Sequence, residues 1–91
     1  MKVEVRYFAS IREALGSGEA IDVNADPDVE PDATADIAFL RRTLVARGGR
    51  YAEVLGSDRS VRSARNRLLS AESTPLADGD EVGFFPPVTG G

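Results

Sequence analysis

From Lys2 the chain alternates. Val3, Val5 and Tyr7 fall on one side, and Lys2, Glu4 and Arg6 on the other. A period of two over residues 2–8 predicts a strand with one buried face. Phe8 breaks the polar side with an aromatic ring. Ser10-Ile11-Arg12-Glu13 then matches a capping box, in which the serine oxygen and the glutamate satisfy backbone N–H groups at a helix start. With Ile11 and Leu15 four apart and Gly16 as a stop, the spacing predicts a short helix over about 11–15. Ala20 to Val23 reads as a second strand.

Residues 24–33, NADPDVEPDA, break the periodicity with two prolines and a run of acidic side chains, and predict an exposed loop. Their D-x-D-x-E-x-D spacing resembles a calcium loop only superficially. Pro31 stands where such a loop needs Gly, and Ile37 where it needs its last Glu. A solvated acidic loop is the better account. Thr34 is positioned to cap a longer helix running to about Arg47, with Ile37, Leu40 and Leu44 as one apolar stripe. Asp36 near its start and Arg41, Arg42 and Arg47 in its second half suit the helix dipole. Gly48-Gly49 ends it, and Tyr51 to Leu55 predicts a further helical turn before Gly56.

Residues 60–71 predict a hairpin around Asn66. Ala77-Asp78-Gly79-Asp80 predicts a turn with Gly79 left-handed. Asp78 and Asp80 belong to that turn rather than to an acid–base dyad, because no partner nucleophile is present. Glu81 to Phe85 forms the last strand, with Val82 and Phe84 on one side and Phe85 on the other. Pro86 and Pro87 have no N–H to give, so pairing stops there. The order is strand, short helix, strand, helix, hairpin, strand. It predicts an α+β fold with one sheet packed against a helix. If the helix from 34 to 47 crosses one face, the first and last strands lie side by side in the middle.

Composition narrows the chemistry. Ninety-one residues make one domain. There is no cysteine and no histidine, which removes thiol nucleophiles, thiolate metal sites and the usual acid–base side chain near neutral pH. A net charge of −4 argues against nucleic acid as a partner. No apolar run reaches the roughly 18 residues of a membrane helix, and the opening residues lack a signal-peptide run, so a cytoplasmic location without membrane contact is expected. Ten of the eleven basic residues are Arg, and Lys2 is the exception.

What remains for chemistry is the end of the chain. An ordered strand, a stiff diproline and then Gly90-Gly91 make a projecting arm: a domain over 1–87 with a flexible tail over 88–91. Residues 87–91 reach at most about 17 Å when extended. Two glycines let backbone enter a channel too narrow for side chains. A carboxylate delivered that way, at Gly91, can be adenylated and then accept sulfur as a thiocarboxylate. The chain has no phosphate-cradling glycine loop, so a partner must activate it.

VRYFASIREALG (5–16) and PLADGDEVGFFPPVTGG (75–91) resemble the small, sulfur-carrying subunit of molybdopterin synthase. The resemblance implies a ubiquitin-like β-grasp: one mixed sheet packed against a long helix, with short extra helices. It implies that an E1-like adenylating enzyme activates Gly91, that this enzyme rather than the present chain uses ATP, and that the chain binds no cofactor or metal. It further implies that the tail, Pro87-Val88-Thr89-Gly90-Gly91, enters the large synthase subunit, in a heterotetramer of two small and two large subunits. There its sulfur passes to cyclic pyranopterin monophosphate, in molybdenum cofactor biosynthesis, and catalytic residues are expected on the large subunit. Leu69 and Phe85 fall at docking positions, and Phe8 joins them as a third candidate; ordinary core packing is the alternative for all three. Arg12 either supports the docked tail and partner surface or belongs to a solvated helix face. Lys2 either pairs with the activating enzyme or is an edge-strand lysine. Arg65, Ser63 and Gly83 depart from the family's usual pattern. Two other functions stay open: a carrier or modifier of the same kind serving another pathway, and an interaction module whose tail has no chemistry.

Overall fold

The computed structural model describes residues 1–23 and 35–87. The acidic loop 24–33, the Thr34 cap and the tail Val88, Thr89, Gly90 and Gly91 lie outside the described residues. The elements run β1 (Lys2–Tyr7), α1 (Ala9–Leu15), β2 (Gly18–Asp22), α2 (Ile37–Val45), α3 (Gly49–Leu55), β3 (Arg62–Arg65), β4 (Leu68–Ser70) and β5 (Glu81–Phe85).

The strands form one sheet in the order β2-β1-β5-β3-β4. β1 and β5 pair in parallel, with Val5 beside Val82 and Tyr7 beside Phe84, and every other pair is antiparallel. This is the expected β-grasp, with the last strand in the middle of the sheet. Lys2 is not an edge-strand lysine, since β2 covers one side of β1 and β5 the other.

The alternation in β1 works as its sequence implies. Val3, Val5 and Tyr7 are buried, and Lys2, Glu4 and Arg6 are exposed. Val82 and Phe84 of β5 continue that buried face, and Ile37, Leu40 and Leu44 of α2 close over it. Burial of these side chains, at about 1.5–3 kcal/mol each, is the main favourable term in a domain of this size.

Two helix starts differ from expectation. Helix α1 begins at Ala9, and its N-cap is Phe8 with no side-chain cap. Phe8 is still tied to β5 through its N–H to the Phe84 carbonyl at 3.1 Å, so the chain turns straight from strand into helix. Ser10 therefore lies within the helix, and the capping box does not form. Helix α2 begins at Ile37, where Asp36 accepts from the Phe39 N–H at 2.8 Å. The loop after β4 satisfies two more N–H groups: Ile37 donates to the Thr74 carbonyl and Ala38 to that of Glu72. Helix α2 also stops at Val45, before Arg47, and Gly48 at φ 75° turns the chain into α3.

Polar groups hold the periphery. Arg41 donates to the carbonyls of Leu55, Gly56 and Arg59 and to Glu72, clasping α2 to the end of α3 and the loop beyond. Glu19 of β2 accepts from Tyr7, Arg47 and Tyr51 at 3.0, 2.6 and 2.9 Å, so one carboxylate joins two strands to the ends of two helices. The hairpin turn uses Asn66 and Arg67 at φ 50° and 70°, the pair of positive values that a two-residue turn between twisted strands requires. Arg65 and Ser63, apolar or small in the family pattern, are both satisfied: Arg65 pairs with Asp80 at 2.8 Å, and the Ser63 hydroxyl donates to the Ser70 carbonyl at 3.1 Å. Among the described residues, no helix is long and apolar enough to cross a membrane.

Candidate functional site

The site grows out of the outward side of β5. The same alternation that buries Val82 and Phe84 turns Glu81, Gly83 and Phe85 the other way. Gly83 lies beside Ala64 of β3, and Ala64 beside Leu69 of β4. Two small residues next to one another make a low floor, and larger side chains stand around it.

Phe8 and Phe85 form one wall, edge to face, with ring centroids 6.5 Å apart and planes at 81°. Leu69 forms the opposite wall, and Arg67 and Glu81 close the rim of a groove of about 510 Å³. The groove is apolar and open. Phe8 is 46 % exposed and Leu69 68 %, values far above those of core side chains. Exposed large apolar groups, gathered around one depression and rimmed by charge, are the features from which interaction surfaces are generally built.

Gly83 sets the depth of the groove. A Cβ there would stand 2.9 Å from Cε2 of Phe8, closer than real Cβ contacts come. Its absence lets the ring lie down against the β5 backbone. On the adjoining sheet surface Arg6 approaches Glu81 at 3.6 Å, an exposed pair worth a fraction of a kcal/mol, about 0.2–1 at most.

β5 leaves the sheet where Phe85 pairs with Arg62. Pro86 and Pro87, both half-buried, follow directly. The start of β5 is held as firmly. Burial pushes the Asp80 carboxyl up, but the Ala77 N–H, Asn66 and Arg65 together outweigh this and hold it below its ordinary value. Asn66 also takes the Glu81 N–H with its side-chain oxygen and gives its own N–H to the Glu81 carbonyl. Asp78 accepts from the Lys2 N–H at 2.8 Å, and Gly79, at φ 88°, donates to the Lys2 carbonyl at 2.7 Å. Both aspartates act as turn residues.

Phe8, Leu69 and Phe85 are thus brought together, with Pro87 two residues beyond the end of β5. Arg12 is exposed on α1 and does not line the groove. Val88, Thr89, Gly90 and Gly91 lie outside the described residues. Sequence reasoning missed Ala64, Arg67, Glu81 and Gly83. The alternation of β5 was enough to find Glu81 and Gly83. Ala64 and Arg67 needed the register of the hairpin, which has no local signal.

A second concavity of about 510 Å³ lies between α2 and α3, bordered by Ala38, Val45 and Leu55. It contains Arg41, whose donors are occupied by the clasp already described, so it offers a scaffold rather than a reactive group.

A family model described as the ThiS family matches residues 5–91. The chain is 42% identical over 90 residues to the molybdopterin synthase sulfur carrier subunit of Escherichia coli K12, covering 98% of this chain and 99% of that protein. It is 34% identical over 99 residues to small archaeal modifier protein 3 of Haloferax volcanii, covering all of both. Among solved structures it resembles a chain of the protein–protein complex of subunits 1 and 2 of molybdopterin-converting factor from Helicobacter pylori. That match has a TM-score of 0.65 and 34% identity, with both chains fully covered.

Proposed function

We propose, on the premise that this chain belongs to the ThiS family, that it is the sulfur carrier subunit of a molybdopterin synthase. The observation that carries this is the position of the apolar groove. It stands at the root of a glycine-glycine end, on the central strand of a sheet fixed from both sides. A partner that grips Phe8, Leu69 and Phe85 thereby aims whatever follows Pro87 into its own active site.

The chemistry follows from the terminus. An E1-like enzyme transfers AMP from ATP to the Gly91 carboxylate, and pyrophosphate leaves. A sulfur donor then displaces AMP and leaves a thiocarboxylate. Docked on the large subunit, that sulfur attacks the pterin precursor, cyclic pyranopterin monophosphate. This chain contributes the nucleophile and the docking surface; Pro87, Val88, Thr89 and Gly90 thread the channel. The partner contributes the pocket and its catalytic groups. The Helicobacter pylori complex supports a large-subunit partner, since its two components are subunits 1 and 2 of one factor.

The test is intact mass after incubation with an adenylating enzyme, ATP and a sulfur donor. The expected result is exchange of one oxygen for sulfur, lost when Gly91 is deleted. No change with several adenylating enzymes of this class overturns the proposal. A second function has one specific support, the full-length similarity to a small archaeal modifier. It predicts instead that activated Gly91 becomes amide-linked to amines of other proteins, which appears as ladders of higher mass on a denaturing gel.

A further inference from the structure

We infer that the chain keeps amines away from its own activated terminus, and that Arg62 is the position where this matters most. The inference rests on the carrier function proposed above, because only an activated Gly91 makes it necessary. An acyl-adenylate acylates any free amine it meets. Ten of the eleven basic residues are Arg, and Lys2 is the one lysine. A guanidinium carries the same charge with no free base near neutral pH. An ordinary lysine presents about one part in a thousand as nucleophilic amine at pH ~7.4.

The placement of the amines points the same way. β1 and β5 run in parallel with Glu4 beside Glu81, so Lys2 stands level with Gly79, to which it is hydrogen-bonded. The tail leaves from the other end, after Phe85. Six residues, from Gly79 to Phe85, separate the two levels, about 20 Å. The four residues beyond Pro87 span at most about 14 Å, and a lysine side chain adds ~6 Å. Lys2 therefore stands at the limit of that span, whereas positions beside Phe85 lie well within it. The Met1 amine lies at the same remote end, 3.4 Å from Asp22 Oδ1.

The near end is different. Arg62 is the direct cross-strand neighbour of Phe85 and is exposed. Arg67 stands on the groove rim, and Arg6 lies beside Gly83. Among the described residues, every cation around the root of the tail is a guanidinium. An amine at position 62 would lie within the span of the four tail residues. Its nitrogen would attack the Gly91 carbonyl carbon. A C–N bond forms, the C–O bond to AMP breaks, AMP leaves with the electron pair, and the amine proton passes to solvent. The result is a closed loop and a dead carrier. Tethering two groups through a few residues gives an effective concentration of the order of millimolar.

The experiment compares the wild-type chain with Arg62→Lys and Arg62→Gln, each incubated with the adenylating enzyme and ATP but no sulfur donor. Trapping with hydroxylamine reports activation of Gly91 separately from its fate. Intact mass then reports self-amide formation as the loss of one water, and peptide mapping locates the bond. All three proteins are expected to give the hydroxamate. Arg62→Lys alone is expected to give the dehydrated species, at least tenfold above wild type, with the bond at position 62. Hydroxamate from all three with no excess in Arg62→Lys overturns the inference and leaves the carrier function standing. So does a self-amide at Lys2 or Met1 of the wild type in comparable yield. Absence of hydroxamate throughout overturns the carrier function, and the inference with it.

Discussion

The ring of Phe8 lies against the backbone of Gly83, so that a Cβ on residue 83 would stand 2.9 Å from Cε2 of the ring. Gly83 pairs in register with Arg6 and Ala64, in ordinary strand geometry, and needs no left-handed backbone. Its value lies in the space above it. Two substitutions separate this from simple strand propensity. In Gly83→Ala the ring need shift by only a few tenths of an ångström, and the strand gains a better residue, so stability should stay within about 1 kcal/mol of wild type. Gly83→Val puts a branched side chain under the ring and should cost about 1–3 kcal/mol by urea denaturation. Equal midpoints for the two variants would mean that the ring is not held against the strand.

Leu68 and Leu69 provide an internal control for docking. Both are largely exposed, at 72 % and 68 %, and they are adjacent in sequence. Leu69 is level with Ala64 and lines the groove, whereas Leu68 is level with Arg65 and points to the other face. Each truncation should leave folding stability within about 0.5 kcal/mol, as expected for surface positions. Against a large synthase subunit in a titration calorimeter, Leu69→Ala should weaken binding about tenfold or more, and Leu68→Ala should not. Equal losses would point to a partner that grips the hairpin edge instead of the groove.

Stability should fall at both ends of the pH scale, for reasons that meet at Glu19. Burial pushes its carboxyl up, but Arg47, Tyr51 and Tyr7 outweigh this and hold it below its ordinary 4.5. Asp80 is likewise held below 3.8. A depressed folded-state value gives stability that is complete above the unfolded-state value and disappears as pH falls through the folded one. Tyr7 behaves in the opposite way. Burial, and then the neighbouring Glu19, raise its phenol above the ordinary 10.0, so its contribution is complete below that value and is lost as pH rises through the folded one. The urea midpoint should therefore be level between about pH 6 and 9, dropping below about 4.5 and above about 10. Glu19→Gln should flatten the acid limb, and Tyr7→Phe the alkaline one. An acid limb of unchanged slope in Glu19→Gln would assign that slope to other carboxylates.

Much of the fold is legible in the sequence because the strands bury one face and show it. Val3, Val5 and Tyr7, and later Val82 and Phe84, declare both their elements and their inward side. Helix boundaries are harder to read. Ser10 and Glu13 carry the pattern of a cap, yet Phe8 remains bonded to β5, and that tertiary bond decides where α1 begins. Asp36 caps α2 with help from the Thr74 and Glu72 carbonyls, which arrive from far along the chain. The groove is half legible. Phe85 shows its side by alternation, and Leu69 joins it only once the hairpin register is known. The Glu19 cluster draws on three elements and the turn after α2, and leaves no local trace.

The central place of β5 has a mechanical consequence. The strand is flanked by β1 in parallel and β3 antiparallel, four residue pairs on each side. Tension applied to the end of the chain, as when a tail is drawn out of a narrow channel, runs along the strand axis. Both ladders then bear the load in shear, together. An edge strand pulled the same way would have a single ladder to resist with. A pull on the C-terminal end therefore meets the strand best able to resist it.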